Sequence, residues 1–440
     1  MVIKMKDEDL FKKIDAIVCD YEKEIISLAK NLVKIPSENI VPDGFEKKAQ
    51  EFLYYKLKDT KYLDLDMFTP LEVKEIIDHP AYFKGRNYKD RPNVVGKIKG
   101  KSDSKSIIFS SHMDTVTRNP LPWKENDPFS GKIEDGNLYG RGSLDMKGQI
   151  ASTFILLKIV SDLNIELDGS LIVESVVDEE NAGSNGTLAS RLRGYNADIA
   201  IVPEPSMLSV CPACKGGKVY KVVTEGKAGT GYGGEELINP AYGLGALMRS
   251  ISDYYDYINS NANPSGFFYK GEKKPREVIL DKVQIGDLSP GGNITIPGKA
   301  WFSIFIQSLP GYSEQDLDNE FSSFILNVAK NDKKFLANMP KITGITRYLW
   351  PFETNPDHPS IPLIKESFEG FSGQSPKVEG AKFACDGFIF HKYFNTPTII
   401  FGPRGGNAHA QDEFVKVGDL ILLTKIFLYV VLKWCGGKIN

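Results

Sequence analysis

The stretch "GSLIVESVVDEEN", residues 169–181, is apolar and β-branched for most of nine residues and then turns into three consecutive acids, Asp178, Glu179 and Glu180. A short apolar run of this kind suits a strand buried on both faces, as in a parallel sheet. Three like charges at the end of such a strand are unfavourable unless something compensates them. The stretch therefore asks for a parallel scaffold and for a cation.

The flanking sequence supplies the scaffold. Helical apolar spacing covers residues 8–35 and 45–58, and strand-like runs appear at "NVVGKIKG" (93–100), "SIIFSSH" (106–112) and "ADIAIVPEP" (197–205). A long amphipathic segment, 145–162, lies between two of the strand-like runs. This alternation predicts an α/β domain with a mostly parallel central sheet and helices on both faces. Ligands in such sheets bind beyond the carboxyl ends of the strands. The polar clusters "SSHMDT", "VVDEEN" and "VPEPS" fall at those ends.

After about residue 215 the pattern changes. "KVYKVVTEG", a helix at 240–259, "REVILDKVQIG", "AWFSIFIQS", a helix at 312–331 and "KITGITRYLW" read β-α-β-β-α-β. That order predicts a small ferredoxin-like α+β domain. From about residue 349 the helix–strand alternation resumes. The expected organisation is one domain of residues 1–215 and 349–440, interrupted by an insertion at 216–348.

Composition narrows the function class. The 440 residues exceed the size at which one core usually divides. Apolar and charged contents of 41% and 25% are those of an ordinary globular protein. A net charge of −3 with scattered basic residues argues against a nucleic-acid surface. No apolar run is long enough to span a bilayer, and the N-terminal residues lack the apolar core of a signal peptide. Five cysteines fit a reducing cytosol better than a disulfide framework. These features predict a cytoplasmic enzyme without nucleic-acid or membrane partners.

Only five histidines occur, and two of them, His112 in "SSHMDT" and His409 in "GNAHAQDEF", follow apolar strands in acidic company. Asp145 in "YGRGSLDMKG", the Glu179–Glu180 pair and Glu204 in "VPEP" complete a set of imidazoles and carboxylates at strand ends or adjoining loops. Clustered carboxylates raise one another's pKa unless a cation neutralises them. Mixed histidine and carboxylate ligation suits a pair of divalent ions such as zinc.

At these residues the chain resembles a known family. "SSHMDTV", "YGRGSLDMKGQIAS", "VVDEENAGSNGT", "VPEPS" and "FGPRGGNAHAQDEF" look like the motifs of M20 metallopeptidases and deacylases, and "GRNYKDRPNVVGKIKG" resembles the approach to the first ligand in the acetylornithine-deacetylase-like branch. The resemblance implies a zinc-peptidase-like catalytic domain interrupted by a lid that also forms a homodimer. It implies two divalent metal ions, zinc foremost, with cobalt or manganese as alternatives. His112 and Glu204 would hold one ion, Glu180 and His409 the other, and Asp145 would bridge them. Asp114 would orient the imidazole of His112, and Glu179 would be the general base. The implied reaction is hydrolysis of an amide or peptide bond in a small substrate.

The insertion departs from the family pattern. Relatives carry a lid histidine in a stretch like G-K-A-x-H, whereas "GKAGTGYGGEELINPA" places Thr230 there. Relatives also carry an Asp-x-Arg whose arginine grips a substrate carboxylate, and "PGKAWFSIFIQSLPG" offers Phe305 and Gln307 instead. The lid asparagine is displaced too, with Ile294 at its position and Asn293 one residue earlier. Two readings follow. The insertion is refitted for a substrate lacking a free carboxylate beside the amide, with Tyr232 or the "GTGYGG" backbone as a substitute donor. Alternatively, the chain is a metal-binding relative with a scaffold role or non-hydrolytic chemistry. "CPAC" (211–214) reads as a redox pair, half a zinc site or incidental thiols, and Cys385-Asp386-Gly387 resembles a Ser/Thr-Asp-Gly element near the active site of relatives.

Overall fold

The computed structural model describes residues 2–102, 104–260, 266–286, 295–335 and 338–439. They form two compact units. Met1–Cys214, Glu353–Ala381 and Cys385–Asn440 make the first, and Lys215–Phe352 with Lys382–Ala384 the second.

The first unit is built on a mixed sheet. Among the described residues, seven of its nine strands run in the order Val210–Cys214, Thr398–Ile400, Ile199–Val202, Ser104–His112, Gly169–Val176, Asn93–Ile98 and Asp64–Phe68. The four strands from Thr398–Ile400 to Gly169–Val176 pair in parallel, and the outer pairs are antiparallel. Ile107, Ile108, Phe109, Leu171, Val173, Ile199 and Ile201 are fully buried, as continuous apolar runs in a parallel sheet require. The segment read as amphipathic behaves differently. In the helix Gly148–Asp162 every residue except Lys158 and Asp162 is buried. One side lies on the sheet, while helices Val2–Val33 and Val417–Trp434 cover the other. A helix enclosed on all sides needs no polar face. Among the described residues, no helix is long and apolar enough to cross a membrane.

The second unit follows the β-α-β-β-α-β order. Its strands lie in the order Val278–Ile285, Lys299–Ser308, Gly216–Glu225 and Lys341–Gly344, and every pair is antiparallel. This is the ferredoxin-like arrangement. Tyr220, Val222, Phe302 and Ile304 from the sheet meet Leu247, Tyr254, Phe321 and Ile325 in one buried cluster. The latter four belong to helices Pro240–Ser260 and Glu314–Lys330. Ser313 caps the second helix, accepting from the Asp316 amide while the Asp316 carboxylate reaches back. The edge strand Val278–Ile285 leaves Ile279, Val283 and Ile285 about half exposed. Asn293 and Ile294 lie outside the described residues.

Candidate metal centre

Four adjacent parallel strands deliver the candidate ligands. His112 ends Ser104–His112; Glu179 and Glu180 follow Gly169–Val176; Glu204 follows Ile199–Val202; and the loop bearing His409 follows Thr398–Ile400. Asp145 comes from the segment just before the buried helix Gly148–Asp162.

These side chains converge. His112 Nε2 lies 2.9 Å from Asp145 Oδ1 and 3.4 Å from Glu204 Oε1. His409 Nε2 lies 3.2 Å from Asp145 Oδ2 and 3.0 Å from Glu180 Oε2. One carboxylate, that of Asp145, thus stands between two imidazoles. Donor atoms of His112, Asp145 and Glu180 all fall within 4.8 Å of one another. Glu179 Oε2 is 3.9 Å from His112 Nε2, near enough to act on something held there and farther from His112 than the Asp145 and Glu204 oxygens.

The electrostatics show what the cluster lacks. Burial, with Asp145 nearby, pushes the Glu204 carboxyl up to about 7. Burial also raises Glu179 well above the ordinary range, and Asp386, Glu204 and Glu180 add to the rise against the opposing charge of His112. Although burial opposes it, hydrogen bonds to Asp145 and Glu204 hold His112 well above its usual value. The charge of Glu180 does the same for His409. Among the described residues, no lysine or arginine pairs with Asp145, Glu179, Glu180 or Glu204. The donor set, two imidazoles and several carboxylates, is hard-to-borderline and fits divalent zinc or a similar ion.

Asp114 was expected to orient His112, and the contact runs through its carbonyl. That oxygen lies 2.9 Å from His112 Nδ1, whereas the carboxylate is 3.8 Å away. A carbonyl only accepts, so Nδ1 carries the hydrogen and Nε2 faces the acids. The Asp114 carboxylate instead accepts the Glu179 amide at 3.2 Å and the Glu180 amide at 3.0 Å. It also accepts Asn39 Nδ2 at 2.8 Å, and the same amide reaches Asp178 Oδ1 at 3.1 Å.

Asp178, the first acid of the triplet, has a separate solution. It accepts from the Tyr88 hydroxyl and faces Arg91 at 3.4 Å and Arg86 at 3.7 Å. The protein supplies its cations. Asp178, Ala182 and Ser184 all have left-handed φ, at 68°, 56° and 56°, so the loop presenting Glu179 and Glu180 is held in costly conformations. Gly183 is required there, because a Cβ would stand 1.8 Å from an Asp178 oxygen.

The other singled-out residues are placed as follows. Thr230 and Tyr232 sit exposed on the loop of the second unit, Tyr232 at 85%. Gln307 is buried with both polar ends engaged: Oε1 accepts the Glu277 amide and Nε2 donates to the Lys382 carbonyl. Of the "CPAC" thiols, both buried, Cys214 approaches Cys385 at 3.8 Å, and among the described residues no disulfide is formed. Asp386 is buried and accepts from Thr187 Oγ1, with burial pushing its carboxyl up to about 6. It lines a small cavity with Ser110, His112, Glu179 and Glu204. Sequence reasoning passed over Asn39, Arg86, Arg91, Arg141 and Glu413, all of which serve these loops. The acid after His409 in "AHAQDEF" was the one visible sign of them.

The description of peptidase family M20/M25/M40 matches residues 108–433. The N-formyl-4-amino-5-aminomethyl-2-methylpyrimidine deformylase of Bacillus subtilis (strain 168) is 29% identical over 381 residues, which is 80% of this chain and 85% of that one. The di-peptidase Dug1p from Saccharomyces cerevisiae shares the fold with a TM-score of 0.77 at 14% identity, over 97% of this chain and 98% of that one. The YXEP protein of Bacillus subtilis, described as a dinuclear metal-binding peptidase of the M20 family, superposes with a TM-score of 0.61 at 14% identity, over 95% and 99%.

Proposed function

Because the chain belongs to peptidase family M20/M25/M40 and is a metallohydrolase of that family, we propose that it hydrolyses the amide bond of a small substrate lacking a free carboxylate beside that bond. The convergence of His112, Asp145 and Glu180 donor atoms within 4.8 Å carries this reading. His112 and Glu204 would hold one divalent ion, Glu180 and His409 the second, with Asp145 shared between them. Zinc suits this set best, with cobalt and manganese as alternatives. When bound, such a pair supplies Lewis-acid polarisation of the scissile carbonyl and acidifies a water.

The chain's own residues do the rest. Glu179 takes a proton from the attacking water at its carboxylate and later gives it to the leaving amine. Its 3.9 Å separation from His112 Nε2 leaves it outside the ligand set and near whatever that imidazole holds. Asp114 keeps Nε2 of His112 aimed inward through its carbonyl and fixes the Glu179 amide through its carboxylate.

Two observations support the substrate class. Gln307, standing where relatives have the carboxylate-binding arginine, is fully engaged with backbone groups and carries no charge. The deformylase relative is named for an N-formyl aminomethyl-pyrimidine, an aromatic formamide whose name contains no carboxyl group. The test is a matched panel in which one acyl group is carried on an amino acid and on its decarboxylated or heteroaromatic amine. Cleavage of N-acetylornithine at kcat/KM above roughly 10⁴ M⁻¹s⁻¹ would remove the proposed substrate class.

A homodimer through the second unit is part of the same reading. The edge strand Val278–Ile285 presents exposed Ile279, Leu280, Val283 and Ile285, and an unpaired strand edge is a template for a second copy. Light scattering of wild type and Val283→Lys tests it; a wild type that stays monomeric at tens of micromolar would rule it out. Cys214 and Cys385, whose sulfurs lie 3.8 Å apart without a disulfide, are consistent with a reducing cytoplasm.

A further inference from the structure

A buried carboxylate outside the expected ligand set organises the loop that carries Asp145. Glu413 is 1% exposed and lies four residues beyond His409. Its Oε2 accepts Arg141 Nη1 at 2.5 Å and the Gly142 amide at 3.1 Å. Its Oε1 accepts the Leu144 amide at 2.9 Å and the Asp145 amide at 3.1 Å. Its main-chain carbonyl accepts the Gly140 amide at 2.9 Å and Ser143 Oγ at 3.3 Å. Segment 140–145 is therefore wrapped around one residue. Gly140 and Gly142, with φ of 140° and 82°, provide the turns that let its amides converge.

Hydrogen bonds to an ionised acceptor are about twice as strong as neutral ones. Here they act on the backbone of the very residue whose side chain stands between His112 and His409. They also join two loops distant in sequence, one bearing Asp145 and the other His409. A purely structural ion pair looks different. Glu174 with Arg191 is equally buried, yet it bonds to no part of segment 140–145.

We infer that Glu413 is a positioning residue for the shared ligand Asp145, fixing its carboxylate through its amide and tying its loop to that of His409. This rests on the metal reading above. Glu413 touches neither substrate nor ion, so it acts only through Asp145 and His409.

The test compares Glu413→Gln with Glu174→Gln in the full chain. A glutamine at 413 sets an NH₂ against backbone N–H donors or against Arg141, whichever way it turns. Two quantities are measured: zinc affinity by competition with a chelator, and amide hydrogen exchange across 140–149 in metal-free protein. The expected result is a 10- to 100-fold loss of zinc affinity (roughly the effect of removing an outer partner of a metal ligand), together with faster exchange at 142–145. Glu174→Gln should lose thermal stability but bind zinc like wild type. If Glu413→Gln fails to fold, Glu413→Asp keeps the charge opposite Arg141 while shortening the reach to Leu144 and Asp145, and the same two changes are expected. Unchanged exchange, or faster exchange with zinc affinity within threefold of wild type, overturns the inference. A wild-type chain that binds no stoichiometric metal would instead overturn the metal reading first, and this inference with it.

Discussion

The second unit and the strand ends of the first treat buried charge in opposite ways. In the second unit, Lys218 reaches Glu314 at 2.7 Å and Asp318 at 3.0 Å, and Arg276 forks onto Glu320 at 2.8 and 2.9 Å. Outside the candidate ligand set the first unit does the same, pairing Glu46 with Arg91, Glu174 with Arg191 and Glu413 with Arg141. At the carboxyl ends of the parallel strands the habit stops. Among the described residues, the cationic side chains that reach Asp145, Glu179, Glu180 and Glu204 are two histidines. The chain has 54 lysines and arginines against 57 acids, so the deficit is local. A fold that can neutralise its own carboxylates and leaves four together unneutralised is arranged for a cation from outside.

The contrast can be broken at several points. The largest expected effect is that of Glu179→Gln, which should cut turnover by about 10²- to 10⁴-fold while metal content, read by elemental analysis, stays at the wild-type level. Glu180→Gln or His409→Ala should lower metal content as well, which separates base from ligand. Arg276→Ala strips the cation from Glu320 in the self-neutralised unit. It should cost about 3 kcal/mol in denaturant melts, the low end for a buried pair because Glu320 keeps 19% exposure. Catalytic metal affinity should not move. Adding zinc at a thousand times its dissociation constant should stabilise the chain by about 4 kcal/mol, a gain that His112→Ala should lose. The smallest effect is expected from Ala182→Gly. Glycine relieves the left-handed strain at that position but adds freedom to the unfolded chain, so the net change should stay within about 1 kcal/mol.

Much of this contrast could be read in the sequence. The apolar runs announced the parallel strands, and the polar residues just beyond them announced the cluster, because strand ends are where chain direction and side-chain chemistry coincide. The neutralising partners were hidden for a physical reason. Arg86 and Arg91 reach Asp178 from a loop without periodicity, about ninety residues earlier. Glu413 binds amides 268 to 271 residues away. Such pairings depend on tertiary folding and leave no local pattern. Gln307 shows the same limit: its substitution for an expected arginine was visible, but its engagement with Glu277 and Lys382 was not.

Gly183 carries one more consequence, for the way this site can change over time. A side chain at 183 would collide with the Asp178 carboxylate at 1.8 Å. The two positions therefore form an exclusive pair, in which an evolving copy gains a Cβ at 183 only after shortening residue 178. Losing that carboxylate would leave Arg86 and Arg91 without one of their partners. Single-step variation at Gly183 is thus closed, and in a library randomising both positions, survivors bearing any other residue at 183 should carry glycine, alanine or serine at 178.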